Sequence, residues 1–229
     1  PEGLFVYSPL SLPVSPPPHS LPSLPEKVAG GKRLWTCALR PLGIYGEECP
    51  LLAGIYHQAQ RLGGQLYRLG PANAFTGRVY VGNVAWMHVL AAQTLRDRPA
   101  SLSGQAYYCT DASPDRSHMD FNMELLGPAG VRLVGQGGPV LPLALTHCLV
   151  WLLQLLQWVL SPFLTFAPFL NRHTLAMAST TFTVRTQKAW HHFGYRPLYT
   201  WEEARDRTVR WLRSLPKAAS RGPGGPGPS

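Results

Sequence analysis

Thr36-Cys37-Ala38-Leu39-Arg40-Pro41-Leu42-Gly43-Ile44-Tyr45-Gly46-Glu47 constrains the fold more than any other stretch of this chain. A short apolar run stops at an Arg-Pro pair and enters a loop bracketed by Gly43 and Gly46. Proline cannot donate to a sheet ladder, and glycine lets the backbone turn tightly and approach a ligand closely. In an open α/β sheet, the loop beyond the carboxyl end of a strand is where ligands sit.

The rest of the chain alternates strand and helix patterns, which predicts an α/β or α+β domain. Strands are expected at Lys32–Leu39, Gln65–Leu69, Gly77–Val81, Gln105–Thr110 and Thr180–Val184, and a helix at Leu51–Leu62. Asn83 is expected to cap a helix running to about Leu95, with Val84, Met87, Ala91 and Leu95 facing inward. Ser117-x-x-Asp120 opens a short helix, another begins at Thr186, and Thr200-x-x-Glu203 is a capping box for the last one. That last helix is expected to pack through Trp201, Ala204, Thr208, Trp211 and Leu215. No internal repeat is visible.

Between Arg132 and Arg172 the chain carries no Asp, Glu, Lys or Arg. Inside this block, Leu143 to Leu160 reads as a helix bounded by Pro142 and Pro162, about 27 Å long at 1.5 Å per residue. His147, Gln154, Gln157 and Ser161 fall on one stripe of that helix. A stripe suits a helix lying in a membrane interface, or one turning its polar side to the protein body; a buried core helix is the alternative, and spanning the membrane stays open. Trp151, Trp158 and Phe163 are expected to serve as interfacial anchors.

The formal net charge is +9, and residues 172–221 hold ten Lys/Arg against three Asp/Glu. A basic segment directly after an apolar one suits a cytosolic flank and attracts anionic headgroups. Nucleic acid is not the expected partner, because no binding motif accompanies these charges. Residues 1–26 contain eight prolines and five serines, and the tail from Pro216 is rich in Gly and Pro, so both ends are expected to be disordered. Cys37, Cys49, Cys109 and Cys148 show no paired spacing and read as reduced thiols, with Cys37 and Cys148 behaving as small apolar groups. Asp111, Asp115, His118 and Asp120 read as turn and cap residues, and adjacent His191 and His192 make a poor metal pair, so no metal is expected.

Several strings, in order, resemble the 3β-hydroxysteroid dehydrogenase/Δ5-Δ4 isomerase family of extended short-chain dehydrogenases. They are the Thr36–Glu47 loop, Val81-Gly82-Asn83-Val84-Ala85-Trp86, Gly104-Gln105-Ala106-Tyr107-Tyr108, Asn171-Arg172-His173-Thr174 and Tyr195-Arg196-Pro197-Leu198-Tyr199-Thr200-Trp201-Glu202-Glu203-Ala204. Asp120-Phe121-Asn122-Met123-Glu124-Leu125-Leu126-Gly127-Pro128 resembles the branch acting on 7α-hydroxylated C27 sterols in bile-acid synthesis. The resemblance runs from about Val28 to Leu215 and implies the C-terminal part of an NAD(P)-binding Rossmann-type enzyme with a membrane-associated helical segment. On that reading, residues 27–132 hold the last Rossmann strand and substrate-domain elements, 133–171 the membrane segment, 172–215 the closing strand and helices, and 216–229 the tail.

The resemblance also implies roles. Pro41, Leu42, Gly43 and Ile44 would give backbone contacts around the nicotinamide of NAD, and Tyr45, Glu47, Asn83 and Trp86 would border the sterol. It implies the endoplasmic reticulum membrane, with the body facing the cytosol, and leaves homo-oligomers possible. In the family, tyrosine takes the proton from the 3β-hydroxyl as hydride leaves for NAD, and lysine lowers the tyrosine pKa. None of the nine tyrosines here has lysine four residues later. Gly222, Gly224 and Gly227 mimic a nucleotide turn but are interrupted by Pro223 and Pro226, with no strand before them. The expectation is a truncated dehydrogenase, inactive alone, whose N-terminal segment replaces the cofactor-binding half. The alternatives are a non-catalytic sterol-binding or membrane-interaction isoform and a different extended short-chain enzyme.

Overall fold

A computed structural model describes residues 28–29, 32–33, 35–68, 71–135, 143–160 and 179–216. The expected disordered ends and the Asn171–Thr174 string lie outside the described residues, apart from Pro216. In chain order the elements are β1 (Val28–Ala29), β2 (Lys32–Arg33), β3 (Ala38–Pro41), β4 (Gly43–Tyr45), α1 (Pro50–Arg61), β5 (Gln65–Tyr67), β6 (Phe75–Thr76) and β7 (Arg78–Tyr80). There follow α2 (Val81–Asp97), α3 (Pro99–Leu102), β8 (Ala106–Cys109), β9 (Arg116–Ser117), α4 (His118–Leu126), β10 (Arg132–Val134), α5 (Leu143–Leu160), α6 (Lys188–Phe193) and α7 (Trp201–Ser214). The chain divides into two compact units that interleave along the sequence.

The first unit takes Pro1–Gly46, Gly77–Pro114 and Val184–Ala204. Its β3 pairs in parallel with β8, from Ala38↔Ala106 to Pro41↔Cys109. Leu42 breaks the strand, and β4 then pairs in parallel with β7, from Gly43↔Arg78 to Tyr45↔Tyr80. Parallel strands need crossover connections, and the residues between β7 and β8 supply α2 and α3 for that purpose. The core joins Leu39, Leu42, Val79, Met87, Leu102, Tyr107, Cys109 and Phe193. Val84, Met87 and Ala91 face it as the helical spacing predicts, and Leu95 is half-buried against it.

The second unit takes Glu47–Thr76, Asp115–Thr183 and Arg205–Ser229. Here β5 pairs in parallel with β10, and β6 pairs antiparallel with β9. Arg68, 4% exposed, forms an ion pair with Asp120 beside the start of α4. Ser117 caps α4 as expected: its Oγ accepts from the Asp120 N–H at 3.2 Å and donates to the Asp120 carboxylate at 2.5 Å.

Three expectations are corrected. The helix expected from Asn83 starts at Val81 with Tyr80 as its cap, because the β7 strand ends directly in helical backbone and Asn83 is engaged elsewhere. The strand expected at Thr180–Val184 is a single bridge at Phe182, since β6, its partner, is only two residues long and already pairs with β9. Cys148, expected to pack as a small apolar group, is exposed. The Arg132–Val134 strand was not anticipated, because it is short and continuous with the uncharged block. The capping box of α7 forms both reciprocal bonds: Thr200 N–H to Glu203 Oε2 at 2.9 Å, and Glu203 N–H to Thr200 Oγ1 at 3.3 Å. Ala204, Thr208, Val209 and Leu212 form its buried face, while Trp201, Trp211 and Leu215 are half-buried.

Helix α5 has the bounds read from the sequence. Val150 is buried, and Leu153, Gln154 and Gln157 are half-buried, giving an inward stripe at i, i+3, i+4 and i+7. Trp151 at 61% and Trp158 at 74% exposure lead an outward face shared with Leu152, Leu155, Leu156 and Val159. Gln154 and Gln157 therefore face the protein with Leu153, while Leu152, Leu155 and Leu156 face outward. Among the described residues no helix is long and apolar enough to cross a membrane.

Candidate functional site

The 41–46 loop leaves the sheet where β3 ends. Pro41 lies opposite Cys109, Leu42 is buried in the core, and the Gly43 N–H donates to the Gly77 carbonyl at 3.2 Å. A Cβ on Gly43 would sit 2.9 Å from Cδ of Arg78, so glycine lets this arginine lie across the loop. Gly46 has φ +145°, and a Cβ there would stand 2.4 Å from Cγ1 of Val81. Gly46 is thus required by its positive φ and by Val81 of α2, whereas the neighbour at Gly43 is the end of a flexible arginine side chain.

Tyr45 is 1% exposed, and its hydroxyl shares a hydrogen bond with Ser113 Oγ at 2.8 Å. Its ring lies 5.8 Å from Tyr80 and 6.0 Å, edge-on, from Trp201, while Tyr80 meets Tyr199 at 5.3 Å. Asn83, also 1% exposed, is saturated: Nδ2 donates to Asp111 Oδ2 at 2.9 Å and to the Tyr199 carbonyl at 3.0 Å. Its Oδ1 accepts from the Tyr199 N–H at 2.8 Å. Asp111 accepts two further bonds, from the Tyr80 N–H at 2.8 Å and the Ser113 N–H at 2.9 Å.

The first unit therefore brings together Pro41, Leu42, Gly43, Ile44, Tyr45, Asn83 and Trp86 of the residues singled out by sequence, with Trp86 half-buried against the core. Glu47 belongs to the other unit and pairs with Arg207 at 3.7 Å. Asp111, Ser113 and Tyr199 were missed as parts of the loop's support. Asp111 was visible only as an acid in a turn, and nothing in its spacing points to Asn83.

One tyrosine and one lysine do meet in space. Lys188 Nζ lies 5.0 Å from the Tyr107 ring centroid and donates to Gln105 Oε1 at 2.9 Å and the Ala106 carbonyl at 3.1 Å. The Tyr107 hydroxyl bonds His192 Nδ1 at 3.0 Å. Burial pushes the Tyr107 phenol up to about 12, with a smaller contribution from Cys37. Burial, with smaller contributions from Cys109 and Asp111, also raises Tyr195, whose hydroxyl donates to the Thr110 carbonyl at 3.1 Å. A catalytic base needs a pKa moved toward the working pH, so both shifts run the wrong way for proton abstraction. Burial likewise raises the thiols of Cys37 to about 11 and Cys109 to about 12, away from nucleophilic use.

The chain is 55% identical over 194 residues to the 3 beta-hydroxysteroid dehydrogenase type 7 of Homo sapiens, covering 85% of this chain and 52% of that protein. The Mus musculus protein of the same name is 53% identical over the same length, with the same coverage. The chain thus spans about half the length of the curated relatives it matches. A crystal structure of UDP-galactose 4-epimerase aligns at a TM-score of 0.48 and 15% identity, over 77% of this chain and 45% of that one. The model of the 3-beta hydroxysteroid dehydrogenase/isomerase family matches residues 24–142. The chain belongs to this family.

Proposed function

We propose that this chain forms the sterol-facing half of an NAD-dependent 3β-hydroxy-Δ5-steroid dehydrogenase/isomerase acting on 7α-hydroxylated C27 sterols. By itself it binds sterol without oxidising it. The 55% identity to the human type 7 protein carries the reading. The absence of a Tyr-x-x-x-Lys pair from the sequence supports the second statement. NAD, when bound, supplies the hydride acceptor. Of the four loop residues placed beside its nicotinamide, Ile44 is the exposed one, Leu42 is buried, and Arg78 fills the space a Gly43 side chain would take. Backbone of the loop is therefore what this chain offers the ring. Tyr45 and Asn83 act from behind it, holding β4, α2 and the Tyr199 segment in register.

The body sits at the cytosolic face of the endoplasmic reticulum membrane, with α5 lying in the interface. The outward Trp151, Leu155 and Trp158 and the inward Gln154 and Gln157 support this placement. The test is NAD-dependent oxidation of a 7α-hydroxylated C27 3β-hydroxysterol in microsomes lacking endogenous activity. The expected result is no turnover by this chain beside an active full-length human type 7 protein. Turnover at a comparable rate would overturn the proposal.

A further inference from the structure

The residues of the loop divide by exposure. Tyr45 and Asn83 have their polar atoms bonded internally, and Trp86 packs on the core. What the same segments present outward is apolar: Ile44 is 44% and Val81 39% exposed. Alternate side chains of a strand point to opposite faces, so the burial of Tyr45 against Tyr80 turns Ile44 to the other face. Val81, the first residue of α2, reaches over Gly46, as the 2.4 Å approach to a hypothetical Cβ shows.

A glycine beside two β-branched residues gives a low apolar surface with no side-chain polar atom. β-branched side chains are stiff at χ1, so little rotamer freedom is lost when a rigid ligand lands on them. These are the properties that suit the flat hydrocarbon face of fused rings. We propose that the side chains of Ile44 and Val81, with Gly46 between them, receive the apolar face of the sterol ring system. Tyr45, Asn83 and Trp86 then support the site without touching the sterol. This assignment rests on the sterol reading given above.

Because Ile44 and Val81 are substantially exposed, charged replacements there are expected to leave folding intact, which makes the assignment testable. The probe is dehydroergosterol, a fluorescent 3β-hydroxysterol delivered from cyclodextrin to the full chain, with energy transfer from tryptophan as the readout. I44D and V81D are expected to weaken binding by about tenfold or more, since a charge must be desolvated beneath the rings. V89D is the control: Val89 is also exposed on α2 but lies about 12 Å further along it. It is expected to bind like the parent chain, and all three variants should keep the parent melting temperature. Parent-like binding by I44D and V81D would overturn the assignment while leaving sterol binding intact. Equal loss in V89D would overturn it too, as a sign of general surface adhesion. Absence of binding by the parent chain would bring down the sterol reading itself, and the assignment with it.

Discussion

Removing the Asp111 carboxylate should loosen the loop at a single point whose size follows from the geometry. Three N–H groups end on it, from Tyr80 at 2.8 Å, Asn83 at 2.9 Å and Ser113 at 2.9 Å. A hydrogen bond to a charged acceptor contributes about 1.5–3 kcal/mol, and a partly exposed site lets water recover some of it. Taking the low end and that recovery together, Asp111→Ala should cost about 3 kcal/mol. For a chain of this size that corresponds to a fall in Tm of about 6–12 °C. Asp111→Asn keeps the shape but replaces one acceptor oxygen with an NH2 group, which must then face a donor. It should cost about half as much. Urea unfolding followed by tryptophan fluorescence gives the free energies, and a cycle with Asn83→Ala isolates the shared bond. The two substitutions should couple by about 1 kcal/mol. If they add to within about 0.3 kcal/mol, the Asp111–Asn83 bond does not hold the site together.

Other consequences can be measured separately. Gly46→Ala should destabilise by about 3 kcal/mol through positive φ and collision with Val81, and Val81→Ala in that background should restore the steric part. The hydrogen bond from Arg68, then that from Ser117, holds the Asp120 carboxyl below its usual range. Its stabilisation is therefore fully present above the unfolded value of about 4 and is lost as pH falls through the lower folded value. Asp120→Asn should remove that part of the acid unfolding limb, and an unchanged limb would refute the assignment. Under native conditions Cys148 should react first with a thiol reagent at about pH 8, while buried Cys109, held protonated, reacts only on unfolding. Equal rates at the two positions would count against the burial of β8.

The elements most legible in the sequence were those whose signal is local. The apolar spacing of α2, the Ser117 cap and the Thr200-Glu203 box are each written within one or two turns, and each forms as read. Boundaries failed where a partner strand decides them. Thr180–Val184 has β-forming residues, but a two-residue partner leaves room for only one bridge. Arg132–Val134 has weak local character and becomes a strand because β5 offers it a parallel edge. For α5 the stripe of glutamines was legible, whereas the direction it faces depends on what surrounds the helix.

Asn83 shows why the site was harder to read than the fold. An asparagine at a strand–helix junction suggests a cap by local reasoning, and a ligand contact by resemblance to the family. Both readings treat its side chain as having a single job. The amide has two donors and a carbonyl acceptor, and all three functions are met by Asp111 and the backbone of Tyr199, which lies 116 residues away in sequence. No spacing rule connects positions that far apart. A side chain saturated in this way has little left to offer a ligand without breaking a bond, and a buried donor left unmet costs about 1–3 kcal/mol. Polar residues near the loop are thus committed to shaping it, and the proposed sterol contact accordingly rests on exposed apolar side chains. Sequence reasoning inclines the other way, because it assigns ligand contacts to polar and aromatic residues and packing to aliphatic ones.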